Sequence, residues 1–283
     1  MRHYLSLIKF SHSIFALPFA LIAYIVAAGN AVSWAVLGLV VVCMVCARAA
    51  AMAFNRVVDR GVDAANPRTA AREIPSGIIS ARGASVFTLL AGTGFLAAAW
   101  AINPLCFYFG VPVLGFLLSY SYAKRFTFLA HLWLGIALGL APVAAWIAHY
   151  GVLDASLIAP VSLGLGVTFW VMGFDILYAC QDEEFDREQG LHSIPERFGR
   201  KTALRISALV HLLSVPLFWY FGFETGLGWV YDVGVAVVAV VLVAEHRVIK
   251  PSDMSRVNMA FFTMNGVVSF AMLVCTLIDL YLT

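Results

Sequence analysis

The chain has 283 residues, of which 62% are hydrophobic and 12% are charged, and its mean hydropathy is +0.89. Soluble globular proteins contain about 45–50% apolar and about 25% charged residues, so this composition excludes an ordinary soluble domain and indicates a protein that crosses the bilayer several times. The formal net charge of +2 gives no indication of a nucleic-acid partner. We predict that residues 1–283 form a single domain without an obligate protein partner.

Nine apolar segments are long enough to cross a bilayer as helices, which takes about 20 residues each. In chain order they cover residues 12–29, 34–53, 83–101, 104–121, 127–148, 156–179, 203–222, 227–245 and 257–281. Glycines recur in the middle segments and predict close helix contacts, because glycine lets two backbones approach each other. The glycines concerned are Gly135, Gly139, Gly164 and Gly166. The sequence therefore predicts an all-α membrane protein.

The basic residues predict the orientation of these helices. With nine spans, all 18 Lys and Arg fall on one side of the membrane, at the N-terminus or in alternate connections, and the opposite connections carry none. Basic loops stay in the cytoplasm during membrane insertion. We therefore predict an integral protein of a bacterial-type inner or plasma membrane. Its N-terminus and its two long polar connections, at about residues 55–82 and 181–200, are predicted to be cytoplasmic.

The first long connection begins with a polar stripe. Asn55, Asp59 and Asp63 are spaced four residues apart and so share one face of a helix at the cytoplasmic end of the second span. Oxygen ligands of this kind suit Mg²⁺, which is usually held by one or two carboxylates together with substrate phosphates. A solvated helix end, paired with neighbouring arginines, explains the stripe equally well. The first cluster alone does not decide between them.

The second long connection repeats the pattern. Asp182 and Asp186 are again four residues apart, and Asp175 lies two helical turns earlier within a predicted span. A charge run of this kind is more often solvated surface, but a carboxylate inside the bilayer is costly and usually has a function. The two acidic pairs have the same spacing, and Asp175 lies deeper in the membrane than the second pair. Together these features favour a single site built from both connections.

A metal–phosphate site also needs fixed cations, and four are available near the acidic pairs. The candidates are Arg68, Arg72, Lys124 and Arg125. Arginine can hold a diphosphate through two parallel hydrogen bonds, and lysine acts as a point charge. The alternative is that these residues only set the orientation and contact lipid headgroups. For Arg125 we favour that alternative.

Several motifs resemble those of the UbiA superfamily of intramembrane aromatic prenyltransferases. Residues 55–63 read NRVVDRGVD and are followed by NPRT and REIPSG, which is similar to the family's NDxxDxxxD motif and its trailing segment. Residues 178–186 read YACQDEEFD, which resembles the DxxxD motif, and residues 122–126 read YAKRF, which resembles a short signature between spans four and five. Arg56 departs from the pattern, because the family's usual residue there is Asp, and we expect no ligand role for it.

The resemblance implies both a fold and an activity. The fold is nine transmembrane helices bundled around a central cavity, with cytoplasmic polar loops forming a cap. The activity is transfer of a polyprenyl group from its diphosphate to the ring of an aromatic acid. Residues 9–18, KFSHSIFALP, resemble 4-hydroxybenzoate polyprenyltransferases of ubiquinone biosynthesis in particular. Prenylation of a hydroxynaphthoate in menaquinone biosynthesis is the alternative, and a polytopic transporter is the non-enzyme alternative.

The resemblance also implies roles for individual residues. Asn55, Asp59 and Asp63 would hold one Mg²⁺, and Asp182 and Asp186 would hold another. The same four aspartates are expected to act in catalysis, and Asp175 would orient the acceptor or take up its proton. The expected contacts to the diphosphate or the acceptor come from Arg68, Arg72, Lys124, Lys9 and Tyr122.

Overall fold

The structure is a computed structural model that describes Leu7, residues 15–254 and residues 256–282. Lys9 lies outside the described residues, so its predicted role is not tested. The described part is almost entirely helical and has no β-strand beyond one isolated bridge between Lys250 and Asp253. The prediction of an all-α protein is confirmed.

Twelve helices, numbered in chain order, make up the described part of the chain. They are α1 (Leu17–Ala28), α2 (Trp34–Val58), α3 (Arg60–Ala65), α4 (Ala81–Ile102), α5 (Pro104–Ala123), α6 (Ala130–Tyr150), α7 (Ile158–Ala179), α8 (Glu183–Glu188), α9 (Ile194–Phe198), α10 (Arg200–Thr225), α11 (Trp229–Val248) and α12 (Val257–Leu282). The last helix contains a π-helical turn at Ala260–Met264.

Eight of these helices are long and apolar enough to cross a membrane, and α1 is a shorter apolar helix of 12 residues. The predicted count of nine long spans is therefore not confirmed. The predicted segment 12–29 corresponds to α1, and its first residues fall outside the described part. The other eight predicted segments each match one long helix, with ends shifted by a few residues.

Local capping explains where several helices begin and end. Asn103 follows the last residue of α4 and accepts a hydrogen bond from the Cys106 N–H at 2.8 Å, so it caps the start of α5. Pro104 suits the first position of that helix, because its ring fixes a helical φ and its missing N–H is not needed there. Gly151 ends α6 with a φ of 64°, a left-handed conformation that glycine adopts without strain.

Glycines on α6 and α7 bring these two helices into close contact, as the sequence predicts. A side chain at Gly139 would collide with the Gly164 carbonyl and the Thr168 hydroxyl, and one at Gly135 would collide with the Thr168 carbonyl. Packing of this kind replaces the hydrophobic effect as the main attraction between helices in lipid. As a result α7 is the most completely buried of the long helices.

We expect the Gly139→Ala variant to be less stable than the wild type, because even a methyl group must push α6 and α7 apart. Overpacking of this kind costs about 1–3 kcal/mol. The measurement is the unfolding temperature in detergent. Gly115→Ala in α5 is the matched control, since no atom lies within 4 Å of its new methyl group. Equal unfolding temperatures for the two variants would contradict the close contact.

The polar connections meet at one end of the bundle and form a cap. Arg68 of the α3–α4 connection contacts Asp182 of the α7–α8 connection, and the His192 N–H donates to the Lys124 carbonyl at 2.7 Å. Arg125 of the α5–α6 connection reaches back to Asp59. The two acidic clusters, more than 100 residues apart in sequence, therefore lie at the same end of the molecule.

Candidate functional site

A cavity of about 280 Å³ lies beneath the cap, between α2, α5, α6 and α7. Its polar lining comes from Arg48, Asn55, Arg56, Asp59, Asp63, Asn66, Arg68, Thr69, Arg72, Tyr120, Ser121, Lys124, Arg125, Asp175, Tyr178, Asp182 and Asp186. Apolar and aromatic side chains line the rest of the cavity. All of the predicted site residues lie in this lining except Lys9, which is outside the described residues, and Tyr122.

Tyr122 lies beside the cavity and does not contribute to its lining. Its ring packs edge-on against Phe54, with centroids 6.0 Å apart, and the Arg125 guanidinium lies 5.8 Å from the ring centroid. Tyr120, two residues earlier on α5, lines the cavity instead. Residues two apart on a helix point in different directions, so a motif match alone could not identify which tyrosine faces inward.

Each carboxylate of the first cluster accepts a hydrogen bond from a basic residue. Asp59 accepts from Arg125 at 3.0 Å and from the Asn55 Nδ2 at 2.7 Å. Asp63 accepts from Arg72 Nη1 at 2.6 Å and is 5% exposed. Burial raises the pKa of the Asp59 carboxyl, although the hydrogen bond and charge of Arg125 lower it. Arg125 therefore belongs to the site, and it is not only a lipid or orientation contact.

The second cluster is arranged in the same way. Arg68 donates through Nε and Nη2 to the two oxygens of Asp182, and its Nη1 donates to the Tyr178 hydroxyl at 3.0 Å. Lys124 Nζ donates to Asp186 Oδ2 at 3.1 Å, and the Asp186 side chain is almost fully buried. Each of the four aspartates thus has a basic partner from another part of the cap.

The donor set fits Mg²⁺ bound together with a diphosphate. Across the described residues, no three Asp, Glu, His or Cys side chains converge closely enough to hold an ion by themselves. Mg²⁺ does not require such a group, because it retains waters and takes substrate phosphate oxygens beside one or two carboxylates. In addition, Asp63 Oδ2 is buried without a hydrogen-bond partner, which leaves a ligand oxygen available.

Two arginines in the cavity wall make no hydrogen bond to a carboxylate within the described part of the chain. Arg48 lines the cavity within α2, and its buried Nε has no hydrogen-bond partner. Arg56 is 3% exposed, its Nε is likewise without a partner, and its Nη1 lies 3.9 Å from Asp63 Oδ2. A buried charge without a partner is costly. Both guanidiniums are therefore suited to bind an anion that enters the cavity.

Neither arginine is predicted as a site residue from the sequence. Arg56 is a departure from a motif and a neighbour of the acidic stripe, and Arg48 is one of the 18 basic residues that indicate orientation. A signal for Arg48 was available, because it precedes Asn55 by seven residues and so shares its helix face about two turns further into the membrane. A charge on that face of an apolar helix predicts a cavity-lining residue.

Asp175 is fixed by a histidine that spacing could not identify. His131 Nδ1 lies 2.7 Å from Asp175 Oδ2, and the Ile194 N–H donates to His131 Nε2 at 3.3 Å. Because a backbone N–H can only donate, Nε2 must be the unprotonated nitrogen, and Nδ1 carries the hydrogen that points at Asp175. His131 is fully buried. No spacing in the sequence predicts these contacts, since the partners of His131 lie 44 and 63 residues away.

Comparison with known proteins connects this site to one family. The sequence profile of the UbiA prenyltransferase family matches residues 16–267. A 4-hydroxybenzoate octaprenyltransferase from Vibrio vulnificus is 30% identical over 245 residues, which cover 87% of this chain and 85% of that protein.

Two solved structures extend the comparison to the fold. The apo structure of a UbiA homologue from Aeropyrum pernix K1 has a TM-score of 0.86 and 32% identity, covering 95% of this chain and 98% of the other. A UbiA homologue from Archaeoglobus fulgidus bound to GPP and Mg²⁺ has a TM-score of 0.76 and 21% identity, covering 98% of this chain and 99% of the other. The second match concerns the fold alone.

The family match covers the helices that surround the cavity and both acidic clusters. Eight long apolar helices account for the membrane location, and the relatives account for the type of reaction. The chain therefore belongs to the UbiA prenyltransferase family and is an integral membrane enzyme that transfers prenyl groups.

Proposed function

We propose that the protein transfers a polyprenyl group from a polyprenyl diphosphate to the ring of an aromatic acid, with 4-hydroxybenzoate as the first candidate, in quinone biosynthesis. The curated relative from Vibrio vulnificus, named a 4-hydroxybenzoate octaprenyltransferase, supports this acceptor. The Archaeoglobus fulgidus homologue bound to GPP and Mg²⁺ supports a diphosphate donor and a magnesium cofactor. Membership of a prenyltransferase family favours the enzyme over a transporter.

The observation that carries the proposal is Arg48, which lines the cavity, has a buried Nε without a hydrogen-bond partner and forms no ion pair with another described residue. The diphosphate is expected at the cap, among the acidic and basic pairs. Arg48 lies seven residues from Asn55 along α2, which corresponds to about 10 Å further into the membrane. A second cation at that depth is suited to the carboxylate of an acceptor acid and would have no partner in a neutral acceptor. The site thus provides separate positions for two anionic substrates.

The residues around the diphosphate suggest how the C–O bond is broken. Asn55, Asp59 and Asp63 would hold one Mg²⁺ and Asp182 and Asp186 another, each together with the diphosphate, and the metal would supply positive charge to stabilise the leaving group. The basic partners of the aspartates, Arg68, Arg72 and Lys124, are then free to donate to the diphosphate oxygens. Arginine is well suited to this exchange, because its two parallel N–H groups fit a phosphate as well as a carboxylate.

Asp175 is placed to act on the acceptor. It lines the same cavity as the acidic clusters, and the His131 N–H keeps one of its oxygens in place. The free oxygen is suited to accept the acceptor's hydroxyl hydrogen, which increases the electron density of the ring. Aromatic side chains in the lining exclude water from the allylic cation and stabilise it through their ring faces.

The orientation of the protein and its domain boundaries are parts of the same proposal. The cap collects both acidic clusters and most of the basic residues, and the positive-inside rule would place it in the cytoplasm, on the side where a diphosphate head group and an aromatic acid can enter from water. The prediction that residues 1–283 form one prenyltransferase domain remains a prediction.

The acceptor is tested by incubating the purified enzyme in lipid with Mg²⁺, a radiolabelled polyprenyl diphosphate and a panel of hydroxybenzoates and hydroxynaphthoates. We expect a prenylated product with 4-hydroxybenzoate and none after the metal is removed with EDTA. Product formation only with a hydroxynaphthoate would establish the menaquinone alternative. Failure with every acid, combined with activity on a neutral acceptor, would contradict the role of Arg48.

A further inference from the structure

A ring of buried polar side chains lies behind the cavity, where α7, α10, α11 and α12 meet. Trp170 Nε1 donates to Asn265 Oδ1 at 2.7 Å, and Asn265 Nδ2 donates to Glu245 Oε1 at 3.4 Å. His211 completes the ring, because its Nε2 bonds the Trp170 carbonyl at 3.0 Å and its Nδ1 lies 3.7 Å from Glu245 Oε2. His246 Nε2 lies 2.9 Å from the same His211 Nδ1.

This ring of polar side chains does not take part in the prenyl transfer directly. None of its five residues lines the cavity, so they do not touch the substrates. It does not relay protons to the cavity either, since its members nearest the cavity, Trp170 and Asn265, carry side chains that do not ionise. Polar groups inside a bilayer are nevertheless costly and are usually retained for a function. The remaining role for these five residues is to hold neighbouring parts of the protein in position.

The ring holds the π-helical turn of α12. Asn265 directly follows this turn, Ala260–Met264, and its Nδ2 also donates to the Phe261 carbonyl at 3.2 Å. A π turn displaces the regular hydrogen bonds of an α-helix, and such turns are frequent at functional sites. The Asn265 amide therefore links the backbone of Phe261 to Trp170 on α7 and to Glu245 on α11.

Phe261 is the centre of an aromatic cluster that lines the cavity. Its ring centroid lies 4.6 Å from that of Tyr178, 5.2 Å from that of Phe174 and 5.5 Å from that of Phe15. All four rings belong to the cavity lining, and we call them the aromatic wall. Trp170 packs edge-on against Phe174 at 5.2 Å. The ring of buried polar side chains thus supports the aromatic wall from both α7 and α12.

We propose that Asn265, Glu245 and Trp170 are positioning residues that hold the aromatic wall against the reactive end of the prenyl diphosphate and keep water away from it. This inference rests on the proposed prenyl transfer. If the wall moves, water reaches the allylic carbon. The C–O bond to the diphosphate still breaks, but the new bond forms to the water oxygen, whose proton goes to solvent. The product is then a prenyl alcohol instead of a prenylated acceptor.

The test compares the Asn265→Leu variant with the wild type and measures prenyl alcohol and prenylated acceptor together. We expect the ratio of alcohol to acceptor product to rise about tenfold, the scale set by one unpaired buried hydrogen-bonding group. The KM values of both substrates are expected to stay within about twofold, because the binding groups are untouched. Thr276→Val is the matched control, since Thr276 is buried on the same helix and its hydroxyl donates to the Met272 carbonyl of that helix.

Two further variants separate positioning from folding. Trp170→Phe removes the indole N–H and two ring carbons but keeps an aromatic ring beside Phe174, and we expect it to raise the same ratio by a smaller factor. Glu245→Gln retains an acceptor for the Asn265 amide, and we expect a ratio close to that of the wild type. An unchanged ratio in both Asn265→Leu and Trp170→Phe, or a ratio raised equally in Thr276→Val, would overturn the proposal.

A second readout does not depend on catalysis. With 4-fluorophenylalanine at position 261, we expect one narrow ¹⁹F resonance in the wild-type background and in Thr276→Val. In Asn265→Leu the resonance is expected to shift or broaden. If no acceptor is prenylated by the wild type, the proposed function fails, and the ¹⁹F spectra still decide whether the ring positions Phe261. Identical spectra in all backgrounds would overturn the inference.

Discussion

The Asp182→Ala variant is expected to lose prenyl transfer almost completely. Asp182 is a proposed ligand for Mg²⁺ and, in the structure, the partner of Arg68 and Asn66. Removing a single group that stabilises charge in a transition state costs about 10²–10³ in kcat. Because the variant loses both the metal ligand and the residue that orients Arg68, we expect a loss at the upper end of this range. Asp59→Ala is expected to have the same effect through the first cluster.

The control for this loss is Glu184→Ala, which changes an exposed carboxylate two residues away that does not line the cavity. Transfer is measured over a range of Mg²⁺ concentrations with 4-hydroxybenzoate as acceptor. We expect Glu184→Ala to resemble the wild type, while added Mg²⁺ does not restore Asp182→Ala or Asp59→Ala. Substantial activity in both single variants would remove the basis for assigning a metal to each cluster.

The pairing of the four aspartates suggests how the site avoids the cost of its own charges. Without substrate, each carboxylate has a basic partner, so the cap carries little unpaired charge despite its acidic motifs. A diphosphate entering with Mg²⁺ would exchange these partners, since the metal takes the carboxylates and the basic residues take the phosphates. The same residues thus stabilise the empty cap and the bound state.

The features that are local in sequence could be predicted from it. The spacing of Asn55, Asp59 and Asp63 predicts one face of one helix, and the sum of hydropathy over some 20 residues predicts each long span. Their convergence with Asp182 was predicted only indirectly, from the side of the membrane on which the basic residues fall. The structure confirms that convergence through the contact between Arg68 and Asp182.

The features that were missed depend on contacts between distant residues. His131 is separated by 44 residues from Asp175, and Trp170 by 95 residues from Asn265. No periodicity links such pairs, because their contact is set by how α6, α7 and α12 pack together. The π turn before Asn265 is likewise invisible in an apolar segment, since the composition of residues 257–281 fits an ordinary α-helix.

The Arg48→Met variant is expected to prenylate the aromatic acid poorly but still to cleave the prenyl diphosphate. Methionine fills much of the volume of the arginine stem but cannot bind a carboxylate. Losing a buried hydrogen-bonded charge pair costs about 2–5 kcal/mol. We therefore expect kcat/KM for 4-hydroxybenzoate to fall about 10²-fold or more. Mg²⁺-dependent hydrolysis of the diphosphate without acceptor is expected to change little, because the diphosphate is proposed to bind at the cap.

Stability separates this effect from simple misfolding. The Nε of Arg48 is buried and has no hydrogen-bond partner among the described residues, so the variant without it should unfold at a higher temperature in the absence of substrate. Arg82→Met, at an exposed position outside the cavity, is the control and should change neither the unfolding temperature nor kcat/KM for 4-hydroxybenzoate. The activity of Arg48→Met with a neutral acceptor such as 4-hydroxybenzamide should fall less than its activity with the acid. If the rates with the acid, with the amide and of acceptor-free hydrolysis all fall together, Arg48 binds the diphosphate. The proposal that the acceptor is an aromatic acid then loses its main structural support.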